Sequence, residues 1–189
     1  MIIIGILGDI GSGKSYVAKR FGYPVFNADF EVGKLYKKDK KIFKKLKKNL
    51  PKYIYSFPIK KEKVSEAILA NKYNLKKIIK IVHLEIRKKM NIFLKKNKDK
   101  KIIILDIPLL LENKINKKDD ILVFVQSKKL DILKRLKKRR NFNLKLFKKF
   151  QAIQLPLDIK KKKSKFIIKN NFKNKSVKRD IKNILKVIL

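Results

Sequence analysis

The stretch Gly8-Asp9-Ile10-Gly11-Ser12-Gly13-Lys14-Ser15 constrains this chain more than any other feature. It follows the apolar, β-branched run Ile2 to Leu7 and precedes Val17, Ala18 and Phe21, which fall at helical spacing. A strand, a turn of the form G-x-x-x-x-G-K-S and a helix together bring main-chain N–H groups onto a phosphate. Glycine is needed because the converging backbone takes dihedrals that a Cβ opposes. The start of the following helix adds the positive end of its dipole. Three of the chain's six glycines lie between Gly8 and Gly13, so the scarce flexible residues are concentrated where this geometry demands them. The pattern implies a nucleoside triphosphate held by Gly11, Ser12, Gly13, Lys14, Ser15 and Tyr16. Lys14 would reach the β- and γ-phosphates, and the Ser15 hydroxyl would ligate Mg²⁺.

The rest of the chain alternates in a way that fits such a loop. Tyr23–Ala28 has strand character. Ile102 to Leu105 and Ile121 to Val125 read as further buried strands, and Phe166 to Ile168 as a short final one. Between about 32 and 99, lysine-rich segments carry apolar residues at helical spacing and read as a helical insertion. Lys128–Arg140 reads as a basic helix with Leu130, Leu133 and Leu136 inside, Asn143–Ile153 as another, and Ser176–Leu189 as a C-terminal amphipathic helix. Strands alternating with helices predict an α/β fold, a parallel sheet flanked by helices.

Lysine and arginine total 54 against 15 acidic residues, a formal net charge of +39. Any polyanion would be attracted at low salt. The lysines are spread along the whole chain, however, and Ile, Lys and Asn are over-used together, as AT-rich codons favour. The excess therefore reads as compositional drift, with lysine stems covering apolar surface, and no specific nucleic-acid partner is expected. The absence of cysteine excludes disulfides and thiolate metal sites. No apolar stretch is long enough to span a bilayer, and Met1–Leu7 lacks the form of a signal peptide. The expectation is a cytoplasmic protein without a membrane partner.

A phosphoryl transferase also needs a carboxylate near the acceptor and cations over the transferred group. Asp29 follows the second strand, at the edge where parallel sheets place ligands; as a structural residue it would be the N-cap of the next helix. Asp106 ends the third apolar run and is placed to serve the metal through water, or to act as a cap. Arg135 and Arg139, four apart, suit phosphate oxygens better than lysine does; otherwise they are two more surface cations. His83, the only histidine, is either structural or a contact to a phosphate or acceptor group.

The segments GILGDIGSGKSYVAKRF, VFNAD, IVHLEIR, ILDIPLLLEN, LKRLKKR and AIQ…FIIKNN resemble, in order and spacing, the dephospho-CoA kinase family, from about Ile3 to Asn171. The resemblance implies a P-loop kinase fold with core 1–31 and 100–189, a substrate-binding insertion at about 32–99 and a lid at about 128–163. It implies transfer of the ATP γ-phosphate to the ribose 3′-hydroxyl of dephospho-coenzyme A, with Mg²⁺. It also implies that Asp29 is the base for that hydroxyl. His83, Arg87, Pro108, Leu109 and Glu112 would belong to the acceptor site. Arg139 would be the lid arginine, and Asn170 would lie near the adenine end of the ATP site.

The sequence departs from the family pattern at Asn27, where Asp is usual, at Leu84 for Pro, at Tyr16 for Thr, at Asp9 for Gly and at Ser164 for Asp. None of these replaces Lys14, Ser15, Asp29 or Arg139, so activity is expected to survive. Three other readings compete: another small-molecule P-loop kinase such as a nucleoside monophosphate kinase, a nucleic-acid-binding NTPase, and a degenerate non-catalytic homologue.

Overall fold

A run that is apolar on both faces is stable as a strand only where both faces are covered, and Ile2–Gly8 (β1) lies at the middle of the sheet. The computed structural model describes residues 1–139 and 142–189. The chain divides into two compact units, one of Met1–Asn27, Leu94–Phe142 and Ile153–Leu189, the other of Ala28–Phe93 and Asn143–Ala152.

In the first unit β1 is joined by Val25–Asn27 (β2), Ile102–Asp106 (β3), Ile121–Gln126 (β4) and Phe166–Lys169 (β5). The strand order is β2-β3-β1-β4-β5, and every neighbouring pair is parallel. All strands therefore end at one edge of the sheet, and the segments that follow them gather there. The helices Lys14–Arg20 (α1) and Asn174–Ile188 (α9) cover one face. Val17, Ala18 and Phe21 from the first helical segment and Val177, Ile181 and Ile184 from the last pack with Ile4, Ile6, Ile102, Ile104, Val123, Val125 and Ile168. Lys129–Lys137 (α6) and Leu157–Lys162 (α8) also belong to this unit, and α8 packs against β1.

Two details of α6 differ from the sequence reading. Leu130 and Leu133 are exposed, and the buried pair is Ile132 and Leu136. Positions four apart stack on one helix face, and this is the face turned toward the phosphate loop, because a Cβ on Gly11 would meet both side chains. The helix also stops at Lys137, with Lys138 as its C-cap, short of the expected Arg140. No apolar residue follows Leu136 until Phe142, so a further turn would have nothing to bury. Arg139 thus lies beyond the helix and does not share a face with Arg135; Arg140 lies outside the described residues.

The second unit is helical: Ala28–Lys38 (α2), Lys40–Asn49 (α3), Lys61–Ala70 (α4), the Lys72–Lys96 helix (α5) up to Phe93, and Leu144–Ala152 (α7). Asp39 caps α3, its carboxylate accepting from the Ile42 N–H at 2.9 Å. Lys149 on α7 donates to the last carbonyls of α4, Ile68 and Leu69, at 2.8 and 3.1 Å. That contact satisfies acceptors a helix end leaves open and sets a cation at the negative end of its dipole. The division falls at 28 and 93 rather than 32 and 99, and the 128–163 segment is shared: α7 belongs to the helical unit, α6 and α8 to the sheet unit. Among the described residues, no helix is long and apolar enough to cross a membrane.

Candidate active site

The turn between β1 and α1 has the backbone that its glycines predict. Gly13 sits at φ 91°, a left-handed conformation, directly before the first helical residue. It is also a place of close approach: a Cβ on Gly13 would collide with the Asn170 side chain and press on Phe172. Lys14 leads α1, and its ammonium reaches back to donate to the carbonyls of Gly8 (3.2 Å) and Asp9 (2.7 Å). The lysine that the sequence reading assigns to phosphates is thus folded over the loop it belongs to. Asp9 accepts from the Ile10 N–H at 2.7 Å through its carboxylate, so this departure from glycine is held by its own turn. Ser15 is exposed on the first turn of α1. Tyr16 turns toward α9, where its hydroxyl donates to Asn174 at 2.8 Å and the Arg20 guanidinium covers its ring.

The neighbouring strand ends converge on the same loop. Ser127, just past β4, donates its hydroxyl to the Ser12 carbonyl at 3.0 Å. Asn170, just past β5 and 2% exposed, donates to the same carbonyl at 2.8 Å. Its amide oxygen accepts from the Phe172 N–H at 2.9 Å. The Arg135 guanidinium stacks over the Phe172 ring, 4.1 Å from its centroid. Ser12 itself is fully buried, and its hydroxyl finds no hydrogen-bond partner among the described residues.

At the other side of β1, β2 and β3 place Asn27 beside Asp106 in register. The Asn27 amide donates to the Asp106 carboxylate, which is almost fully buried. An Asp at 27 would set two carboxylates side by side; the carboxamide replaces that repulsion with a hydrogen bond. Beyond β3, Leu110 is fully buried and packs where Gly5 of β1 lacks a side chain. Pro108 and Leu109 stand on the turn that this anchor holds, Pro108 half-buried. Glu112 is drawn inward: its Oε1 lies 2.8 Å from the Lys160 ammonium and accepts from the Leu155 N–H at 2.9 Å. Lys160, 1% exposed, also donates to Gln154 at 2.8 Å.

The sheet unit therefore holds Gly11 to Tyr16, Asp106, Pro108, Leu109, Glu112, Arg139 and Asn170. Asp29, His83 and Arg87 belong to the helical unit. Asp29 is exposed on the first turn of α2, inside the helix, whose first residue is Ala28. It is not the N-cap that its structural reading required. Arg139 is exposed in the turn after α6. His83 and Arg87 lie one turn apart on α5. Leu84 continues that helix where a proline would remove a backbone donor.

Burial lowers the His83 pKa below its usual 6.5, and the charge of Arg87 lowers it further. At neutral pH the imidazole is therefore neutral. An unfolded chain takes up this proton as pH falls below about 6.5, before the folded chain does, so folding stability drops as pH descends through that range. Because this is the only histidine, the expected result is clean: the slope of stability against pH just below neutrality flattens in His83→Gln. Denaturant midpoints across this range check it; identical slopes for the two proteins would contradict it.

Sequence reasoning missed Ser127, Phe172, Gln154 and Lys160. Ser127 carried a positional signal, the first residue past a buried parallel strand. Lys160 carried none, since it stands in a run of four lysines.

Residues 2–176 match the family described as dephospho-CoA kinase. Two relatives named dephospho-CoA kinase come from Wolbachia. That of the Brugia malayi strain is 34% identical, with 97% of this chain and 96% of the relative covered. That of Wolbachia pipientis wMel is 35% identical at the same coverage. The fold is similar to a crystal structure from Thermus thermophilus, at a TM-score of 0.78 and 23% identity over 100% of this chain and 98% of that one. It is also similar to dephospho-CoA kinase from Campylobacter jejuni, at a TM-score of 0.63 and 21% identity over 98% and 96%. With a glycine loop at the end of the central strand, this arrangement is a P-loop kinase fold, and the chain belongs to the dephospho-CoA kinase family, whose members are ATP-dependent kinases.

Proposed function

We propose that this protein transfers the γ-phosphoryl group of ATP to the ribose 3′-hydroxyl of dephospho-coenzyme A, giving coenzyme A and ADP. The observation that carries the reading is the loop Gly8–Ser15, set at the carboxyl edge of a parallel sheet, opening a helix and braced from two other strand ends. Phosphoryl transfer passes through a loose transition state, so the protein's task is positioning and charge stabilisation. Lys14 leaves its two carbonyls to meet the β- and γ-phosphate oxygens, exchanging neutral acceptors for anionic ones. The N–H groups of Gly11 to Tyr16 supply further donors. Arg139 offsets charge on the transferred group. Asp29 orients the acceptor hydroxyl and receives its proton, while His83 and Arg87 hold the acceptor's own phosphates.

The donor set also suits Mg²⁺, a hard cation that keeps several waters and takes few protein oxygens. Ser15 would hold it directly and Asp106 through water, with the Asp106 carboxylate steadied by Asn27. Bound there, the ion neutralises charge on the β- and γ-phosphates.

A coupled assay with ATP and dephospho-coenzyme A tests the reading. The expected result is ADP release that depends on dephospho-coenzyme A. Phosphorylation of a nucleoside monophosphate in its place, or ATP hydrolysis stimulated by DNA or RNA at physiological salt, would overturn it.

A further inference from the structure

Two side chains that no catalytic role claims meet at one atom of the phosphate loop. Ser127 donates to the Ser12 carbonyl oxygen at 3.0 Å, and Asn170 donates to the same oxygen at 2.8 Å. Each follows the last residue of a strand, β4 and β5. Those strand ends are themselves tied, since the Asn170 N–H donates to the Gln126 carbonyl at 2.8 Å. Asn170 cannot swing away without further loss, because its amide oxygen accepts from the Phe172 N–H at 2.9 Å. The fit is close: the Asn170 amide lies against Gly13 where any Cβ would stand.

The consequence follows from peptide geometry. A trans peptide is planar, and its C=O and N–H point in opposite directions. The carbonyl gripped by Ser127 and Asn170 belongs to the peptide whose N–H is that of Gly13. Holding the oxygen on the side of β4 and β5 turns the Gly13 N–H the other way. From the φ of 91° at Gly13 the chain enters α1 at Lys14, so this N–H precedes the helix N-terminus directly. Without the grip, a φ/ψ adjustment of Ser12 and Gly13 could rotate that peptide at little steric cost, since glycine permits both hands of backbone.

We propose that Ser127 and Asn170 are positioning residues that fix the orientation of the Ser12–Gly13 peptide, so that the Gly13 N–H is presented to the phosphates of the nucleotide before it binds. The proposal rests on the nucleotide-binding reading of the loop. It gives Asn170 a role through the loop rather than through contact of its amide with the base. It also assigns Ser127 a function in ATP binding. Pre-orientation matters because an N–H aimed in advance costs no rearrangement on binding.

The test is a set of three variants, read by steady-state kinetics and by calorimetric titration with Mg·ATP in the absence of acceptor. Ser127→Ala removes one donor and is expected to weaken ATP binding, and raise the KM for ATP, by about five- to tenfold. The KM for dephospho-coenzyme A should stay near that of the wild type. Ser127→Thr keeps the hydroxyl and is expected to restore ATP binding. Asn170→Asp puts a carboxylate oxygen against the carbonyl and is expected to weaken ATP more than Ser127→Ala does. A Ser127→Ala protein that melts earlier yet binds ATP like the wild type would reduce the contact to ordinary packing and overturn the proposal. Equal rises in both KM values, or no recovery in Ser127→Thr, would overturn it as well. Because ATP binding is measured without acceptor, a wild type that binds ATP yet leaves dephospho-coenzyme A untouched counts against the acceptor and not against the grip.

Discussion

Asp29→Asn is expected to lower kcat by about 10²- to 10⁴-fold, the usual range for loss of a positioned proton acceptor, while the affinity for ATP stays near that of the wild type. The substitution keeps the size and the reach of the side chain and removes its negative charge and its capacity to take a proton. Asp29 lies on the first turn of α2. It is exposed, and it follows β2 by two residues. The phosphate loop and the Ser127–Asn170 grip lie in the other unit and are untouched by the change. Glu31 provides the control. It stands in the same first turn, and its carboxylate is engaged by Lys34 at 2.8 Å and by Lys89 at 3.8 Å. Glu31→Gln should leave kcat close to that of the wild type. Turnover, the two KM values and calorimetric ATP binding decide the matter. Undiminished turnover in Asp29→Asn would remove this residue from the chemistry.

Glu112→Leu is expected to destabilise the fold by about 3–5 kcal/mol, because it leaves a buried ammonium without its counter-charge. Lys160 is 1% exposed and Glu112 9% at the side chain, so neither charge can recover its hydration. For a chain of this size the loss corresponds to a fall in melting temperature of roughly 10 °C. The pair also carries two other groups, the Leu155 N–H and the Gln154 amide oxygen, while the second Glu112 oxygen has no hydrogen-bond partner among the described residues. The double variant Glu112→Leu with Lys160→Met replaces both charges by apolar groups and should recover more than half of the loss. Recovery stays incomplete because Leu155 and Gln154 keep their unmet hydrogen bonds. Denaturant titrations of the two single variants and the double variant give the coupling between the residues. A cost below about 1 kcal/mol for Glu112→Leu would show that the pair is solvated and that its burial has no energetic weight.

The sheet was legible because its strands are short runs apolar on both faces, a pattern few other structures tolerate. The phosphate loop was legible because its glycines and its Lys-Ser pair do one physical job at fixed spacing. The α6 interior was misread for a reason specific to this composition. With lysine at most polar positions, Leu130, Ile132, Leu133 and Leu136 offer more than one helical face, and only packing against Gly11 selects Ile132 and Leu136. Lys160 was hidden in the same way. In a chain with 54 basic residues one more lysine carries no information, although this one lies inside the protein. Ser127 and Asn170 converge on Ser12 from positions more than a hundred residues away in the chain, and spacing along the sequence does not encode such a meeting.

The order of the strands also sets a timetable for synthesis. β1 is made well before its partners in the sheet, which are β3, beginning at Ile102, and β4, beginning at Ile121. The phosphate loop thus precedes both of its braces and lacks them until Ser127 and then Asn170 have emerged. The helical unit waits too, since α7 begins only at Leu144. A nascent chain must hold this unpaired, wholly apolar strand until β3 and β4 have been translated. Long-range pairing of this kind is slow and exposed to aggregation, and it is the stage at which the growing chain most needs protection by chaperones.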